Sequence, residues 1–208
     1  MRLTSTSFLD GAMIPTRYAF ARAATTGHVE LSDNVNPQLL WSDVPAGTRS
    51  FAISCIDPDV PSVPDDVNQE GRSVPADLPR CEFVHWLMVD VPADCREIAE
   101  GACAEGVIAG GKRTPTGPTG ARQGRNDYTS WFAGTAGMAG DYLGYDGPAP
   151  PWNDERMHHY HFKVHALDLE RCALPEAFGL AEFRAAITGH VLAEATITGR
   201  YSQNPALL

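Results

Sequence analysis

The sequence predicts a mainly β protein, a β-sandwich with a helix packed at its edge. Three observations predict it. Short runs rich in β-branched and aromatic residues recur and stop at prolines, as in Phe51-Ala52-Ile53-Ser54-Cys55-Ile56 and Phe83 to Val91. Gly (19) and Pro (16) run a little above average in 208 residues, which favours loop-linked strands over a helical bundle. A single stretch, about Pro175 to His190, carries a clear helical period.

The elements follow in order. Asp43-Val44-Pro45-Ala46-Gly47-Thr48 is a turn signal ahead of the first strand, Phe51 to Ile56, which runs into a loop at Asp57. Phe83 to Val91 is the second strand, closed by Pro92. Tyr160 to Leu167 alternates in character and is the third, and Glu194 to Tyr201, rich in Thr and Ile, is the fourth. In the helix, Leu180, Phe183, Ile187 and Val191 share one face; Pro175 suits the first turn and Gly189 weakens the far end. Ser62 to Glu82 and Gly101 to Gly147 show no periodicity, and the second holds twelve of the nineteen glycines. With no internal repeat and no separating linker, residues 1–208 are read as one domain.

The formal charge of −10 offers no attraction to nucleic acid or an anionic membrane, so any anion must be captured locally by a pocket. The N-terminal stretch lacks the apolar h-region of a signal peptide, and no run of eighteen apolar residues exists. Cys55, Cys81, Cys95, Cys103 and Cys172 are an odd, scattered set without zinc spacing, as expected of reduced thiols in a cytoplasmic protein.

Candidate chemistry gathers in a few places. Asp57 is placed at a strand end, where sites are commonly built, although Asp57-Pro58-Asp59 by itself reads as a rigid turn. Asp59 suits an Asx-type bond to nearby amides. Alternation puts His85 on one strand face with Leu87, Val89 and Val91, where Asp57 is a possible partner holding the imidazole in its cationic form. Gly147-Pro148 after Tyr145 offers backbone amides able to cradle an anion. His158 and Tyr160 share a face with Phe162 and Val164; His159, His161, Lys163 and His165 take the other. His159, His161 and His165 are the metal candidates, with Asp154 and Glu155 nearby; a solvated or dimer-contact face is the plainer reading. Lys112, Arg113, Arg122 and Arg125 read as a solvated loop or a secondary anion contact. No nucleophile elbow, zinc-protease motif or Walker loop occurs.

Taken in order, Asp57-Pro58-Asp59-Val60-Pro61, His85-Trp86, Gly147-Pro148-Ala149-Pro150-Pro151 and His158-His159-Tyr160 resemble the phosphatidylethanolamine-binding protein family, in its bacterial Raf-kinase-inhibitor-like branch. The resemblance runs from about Asn36 to about Ser202. It implies a Greek-key antiparallel β-sandwich with a few short peripheral helices and a small pocket for phosphate-type anions, phosphoethanolamine head groups included. The implied ligand-binding residues are Asp57, Pro61, His85, Gly147, Pro148, His158 and Tyr160, with Asp59 shaping the loop. It also implies a homodimer, and no cofactor. Two stretches look expanded against the family, 62–82 and 122–138, which makes both of them candidate covers of the pocket.

The leading functional reading is therefore a non-enzymatic protein binding a phosphate monoester or phospholipid head group. Two others stand beside it. One is a metal-assisted hydrolase or small-molecule lyase using the His-rich strand or the Asp57/His85 pair. The other is a protein-interaction module that inhibits a kinase or protease.

Overall fold

The computed structural model describes residues 1–208. Its strands are β1 (Arg2–Thr4), β2 (Ala21–Ala23), β3 (Val29–Leu31), β4 (Leu39–Ser42), β5 (Ser50–Pro61), β6 (Arg80–Pro92), β7 (Glu97–Ile98), β8 (Arg122–Gln123), β9 (His158–Leu167) and β10 (Val191–Tyr201). Two short α-helices accompany them, α1 (Tyr128–Trp131) and α2 (Leu180–Ile187). The large sheet has the order β10-β9-β5-β6-β8, and its neighbours pair antiparallel. Within it β9 returns to lie beside β5 while β8 lies beyond β6, which is the Greek-key arrangement. A small sheet, β1-β4-β7, packs against it, and β2 and β3 form a separate hairpin.

The main core fills the space between the two sheets. Leu39, Trp41 and Ile98 from the small sheet meet Phe51, Ile53, Trp86, Met88, Phe162 and Val164 from the large one. Each fully buried Leu, Phe or Ile here stabilises the fold by roughly 1.5–3 kcal/mol relative to exposure. The outer face of the large sheet is also partly covered: Val84, Leu87 and Val89 pack under Phe178, Phe183 and Ile187.

The four expected strands are present, each extended by a few residues. β5 continues through Pro58 because a bulge separates the pairs Asp57–Phe83 and Val60–Cys81. Pro58 and Asp59 sit in that bulge, where no ladder N–H is required of the proline. Asp57 therefore lies within a strand rather than where one ends. The helix is shorter than expected. Gly179 caps it, its N–H donating to Glu182 Oε2 at 3.0 Å, so 175–179 are loop. Gly189 turns the chain at a φ of +82°, and Val191 opens β10 instead of extending the helical face. β1 to β4 had no strand signal in the sequence beyond the turn at 43–48 that follows them, because three or four residues are too few to display alternation. No helix is long and apolar enough to cross a membrane.

Candidate functional site

A cavity of about 620 Å³ opens at one end of the sandwich. Asp57 of β5, His85 of β6, and His158 and Tyr160 of β9 form its polar floor, and Pro61 joins its wall. Three irregular segments raise the walls: the β2–β3 hairpin supplies Val29 and Leu31, the 62–79 loop Pro64 and Val67, and the α1 region Trp131 and Phe132. Both stretches that looked expanded in the sequence thus line the cavity.

Backbone irregularity places His85. Opposite β5, Cys55 pairs with Trp86 but Ile56 pairs with Val84, so His85 is the extra residue of a bulge. The strict alternation expected for β6 fails there. Val84 and Leu87 both lie on the α2 side, and His85 turns to the other face, its ring edge-on to Tyr160 at 5.0 Å. A second irregularity at Asp90, with φ +60°, moves Val91 away from Leu87 and Val89 and into the main core. The alternation of β9 holds, so His158, Tyr160 and Phe162 face inward as expected.

The expected Asp57–His85 pair does not form. Asp57 Oδ2 instead accepts from His158 Nδ1 at 2.6 Å, and Asp57 Oδ1 accepts the Asp59 N–H at 2.8 Å. The Asx-type bond is therefore made by Asp57, while Asp59 Oδ2 accepts the backbone N–H of His159 at 3.0 Å and its Nδ1 at 2.9 Å. The other nitrogen of His158, Nε2, lies 3.0 Å from Asp154 Oδ2. Arg80 clamps Asp154 bidentately at 2.5 and 3.0 Å. A row of alternating charge results: Arg80, Asp154, His158, Asp57.

Both nitrogens of His158 face carboxylate oxygens, which only accept, so the ring carries both protons. Burial opposes that charge, but the bonds to Asp154 and Asp57 outweigh it and hold the imidazolium pKa at about 9. Asp154 shows the converse: burial would raise its carboxyl, yet His158 and Arg80 hold it below the usual range. Having spent both N–H groups, His158 orients the Asp57 side chain rather than reaching a ligand.

His85 is different. Its Nδ1–H donates to the backbone carbonyl of Asp146 at 2.8 Å. Burial pushes its pKa below the usual value despite the opposing pull of Asp57. The neutral ring then leaves Nε2 as a lone pair without a protein partner at the cavity floor. Tyr160 Oη is buried beside Asp57 without forming an aligned hydrogen bond.

Gly147 and Pro148 are set back from this cavity, whose wall is made by Ala149, Pro150 and Pro151. The Gly147 amide is not free for an anion: it donates to Asn34 Oδ1 at 2.8 Å. Glycine is required there because a Cβ would collide with the Tyr18 carbonyl. The metal candidates do not converge on a common point. His159 holds Asp59, His161 Nδ1 bonds Thr198 Oγ1 at 2.9 Å, and His165 Nδ1 sits 3.3 Å from Glu194. No group of three His, Cys, Asp or Glu side chains is arranged to hold a metal ion.

Lys112 is buried rather than solvated. Its Nζ donates to Asp146 Oδ1 at 2.6 Å, and Asn34 and Asn126 complete the cage. That cage fixes the carbonyl that orients His85. Arg122 likewise pairs with Asp90 at 2.7 Å. Arg80, Asn34, Asn126 and the aromatic wall carried no local signal; a lone Arg ahead of a strand was the only hint.

A protein-family model described as phosphatidylethanolamine-binding protein matches residues 4–202, further toward the N-terminus than the motifs alone reach. The UPF0098 protein YbhB of Escherichia coli (strain K12) is 34% identical over 202 residues, covering 97% of this chain and all of YbhB. The UPF0098 protein YbcL of the same organism is 30% identical over 201 residues, covering 96% of this chain and 86% of YbcL. The crystal structure of Escherichia coli YbcL, described as a new member of the mammalian PEBP family, superposes with a TM-score of 0.69 at 29% identity, covering 97% of each chain. With the sandwich, the cavity and these matches in agreement, the chain belongs to the phosphatidylethanolamine-binding protein family.

Proposed function

We propose that the protein is a non-enzymatic binder of a small phosphate-type anion, a phosphate monoester taken up together with a proton. The observation that carries this reading is the pair of unpartnered groups, His85 Nε2 and Tyr160 Oη, at the base of a cavity with largely apolar walls. A buried hydroxyl left unpaired costs about 1–3 kcal/mol, and a ligand oxygen removes that cost.

Charge selects the form of the ligand. The Asp57 carboxylate at the floor repels a fully deprotonated phosphate. A monoanion brings a P–OH that donates to Asp57, while its oxygens accept from Tyr160 and, once Nε2 is protonated, from His85. The second carboxylate near the floor, Asp127, is occupied by the Val84 N–H at 2.7 Å. The cysteine that lines the cavity, Cys81, is not an activated nucleophile: burial and the carboxylates of Asp57 and Asp127 raise its pKa above the ordinary value.

The test is an NMR titration with O-phosphorylethanolamine at about pH 6, following the histidine rings. Saturable shifts at His85 that vanish in Asp57→Ala support the reading. Affinity should weaken as pH rises, because binding takes up a proton at Nε2. An affinity that stays flat from about pH 5 to about pH 8 sinks it.

A further inference from the structure

A second cavity, of about 290 Å³, lies on the opposite face of the same two central strands. The alternation that turns His158 and Tyr160 inward turns His161, Lys163 and His165 outward, beside Ser54, Ile56 and Pro58 of β5. Helix α2 roofs this face with Leu180, Phe183 and Ile187. One wall is therefore apolar and the other is a row of hydrogen-bonding groups.

Several of those groups lack partners. His165 is 93% buried, as its 7% exposure states, and its Nδ1 makes no hydrogen bond, although Glu194 Oε2 lies 3.3 Å away. Ser54 is buried, and its Oγ bonds nothing in the protein. Lys163 gives one N–H to Glu194 at 3.0 Å and keeps two more. His161 spends only Nδ1, on Thr198. A buried nitrogen left unpaired beneath a helix, as His165 Nδ1 is, is costly, and the groups beside it keep spare hydrogen-bonding capacity for a ligand.

From this face we infer a second ligand site, for a small monocarboxylate with an apolar body. The apolar part fits between Phe183, Leu180 and Ile56, and the carboxylate meets donors from Lys163, Ser54 and His161. A dianion would need more free cation than this face offers. Arg184 is bound bidentately by Glu82 at 2.8 and 2.7 Å, which leaves the one ammonium of Lys163 partly available. Glu82 and Glu194 stand at the rim about half exposed, each already paired with a cation, so their repulsion is screened by solvent. The site is independent of the phosphate reading, since the β-sheet separates the two cavities and Glu82 alone borders both.

The test uses benzoate as the probe, at millimolar concentration, with benzyl alcohol as the uncharged control. Expected are saturable NMR shifts of the His161 and His165 rings and of the Leu180 to Arg184 amides, with no comparable response to benzyl alcohol. Lys163→Gln, at a partly exposed position, should weaken benzoate by about tenfold, the effect of losing one charge-assisted bond. Unchanged His85 and His158 ring signals in that variant establish that the fold and the first cavity are intact. Shifts confined to His85 and His158, binding that survives Lys163→Gln undiminished, or no response at these groups would each overturn the inference.

Discussion

His158 Nδ1 lies 2.6 Å from Asp57 Oδ2, with the two side chains 0% and 1% exposed. This pair, 101 residues apart in the chain, joins β9 to the bulged end of β5 and sets the charge of the cavity floor. Its strength comes from low-dielectric surroundings and from the second carboxylate at Nε2, which together keep a fully buried imidazole protonated.

Stability should depend on this charge at alkaline pH. The folded-state pKa of about 9 stands above the ordinary 6.5, so the contribution is complete below about 6.5 and is lost as pH rises through about 9. A loss of a few kcal/mol is expected across that window, from a shift of this size at 1.36 kcal/mol per unit. Urea unfolding at several pH values checks it. His158→Gln should lower stability at neutral pH and flatten the profile; an unchanged slope would show that another group titrates there.

Tyr160→Phe should separate binding from folding. The hydroxyl has no hydrogen-bond partner in the protein, so its removal should leave stability unchanged or raise it by up to about 1 kcal/mol. Affinity for O-phosphorylethanolamine should fall by about tenfold. Paired calorimetry and thermal melts read both quantities.

Gly147→Ala should destabilise the fold without touching a cavity-lining side chain. The added Cβ meets the backbone carbonyl of Tyr18, which cannot move independently of the 16–19 turn. Overpacking of this kind costs about 1–3 kcal/mol. The melting temperature should drop, and the His85 ring resonance should shift because Asp146 is the neighbouring residue that orients it.

Trp131 is 47% exposed at the cavity wall, so Trp131→Ala should leave stability nearly unchanged. It should weaken phosphate monoesters that carry an apolar body and spare inorganic phosphate. Equal losses for both would remove Trp131 from the ligand's path.

Lys112→Met should be costly despite its loop position. It leaves the buried Asp146 carboxylate without its cation, a change typically worth about 3–5 kcal/mol, eased here by Asn34 and Asn126. Chemical denaturation measures the loss directly.

The long strands were legible from local signals: β5 and β6 as apolar runs stopped by proline, β9 by alternation, and β10 by its Thr and Ile content. So were the floor residues Asp57, His85, His158 and Tyr160, carried by short motifs whose order survives across the chain. Tertiary structure alone decided how they pair. A bulge opposite Cys55 and Ile56 turned His85 to the cavity, and no periodicity announces a bulge. Asp57 went to His158 because antiparallel pairing in the large sheet sets β5 beside β9. Arg80 reached Asp154 across 74 residues because a bridge between Val74 and Asp154 ties the segment before β6 to the segment before β9. Gly147 looked like an open cradle and is instead packed tightly against the Tyr18 carbonyl. Alternation and turn chemistry act over a few residues, whereas the partner of a buried charge is chosen by which distant strands the sandwich sets side by side.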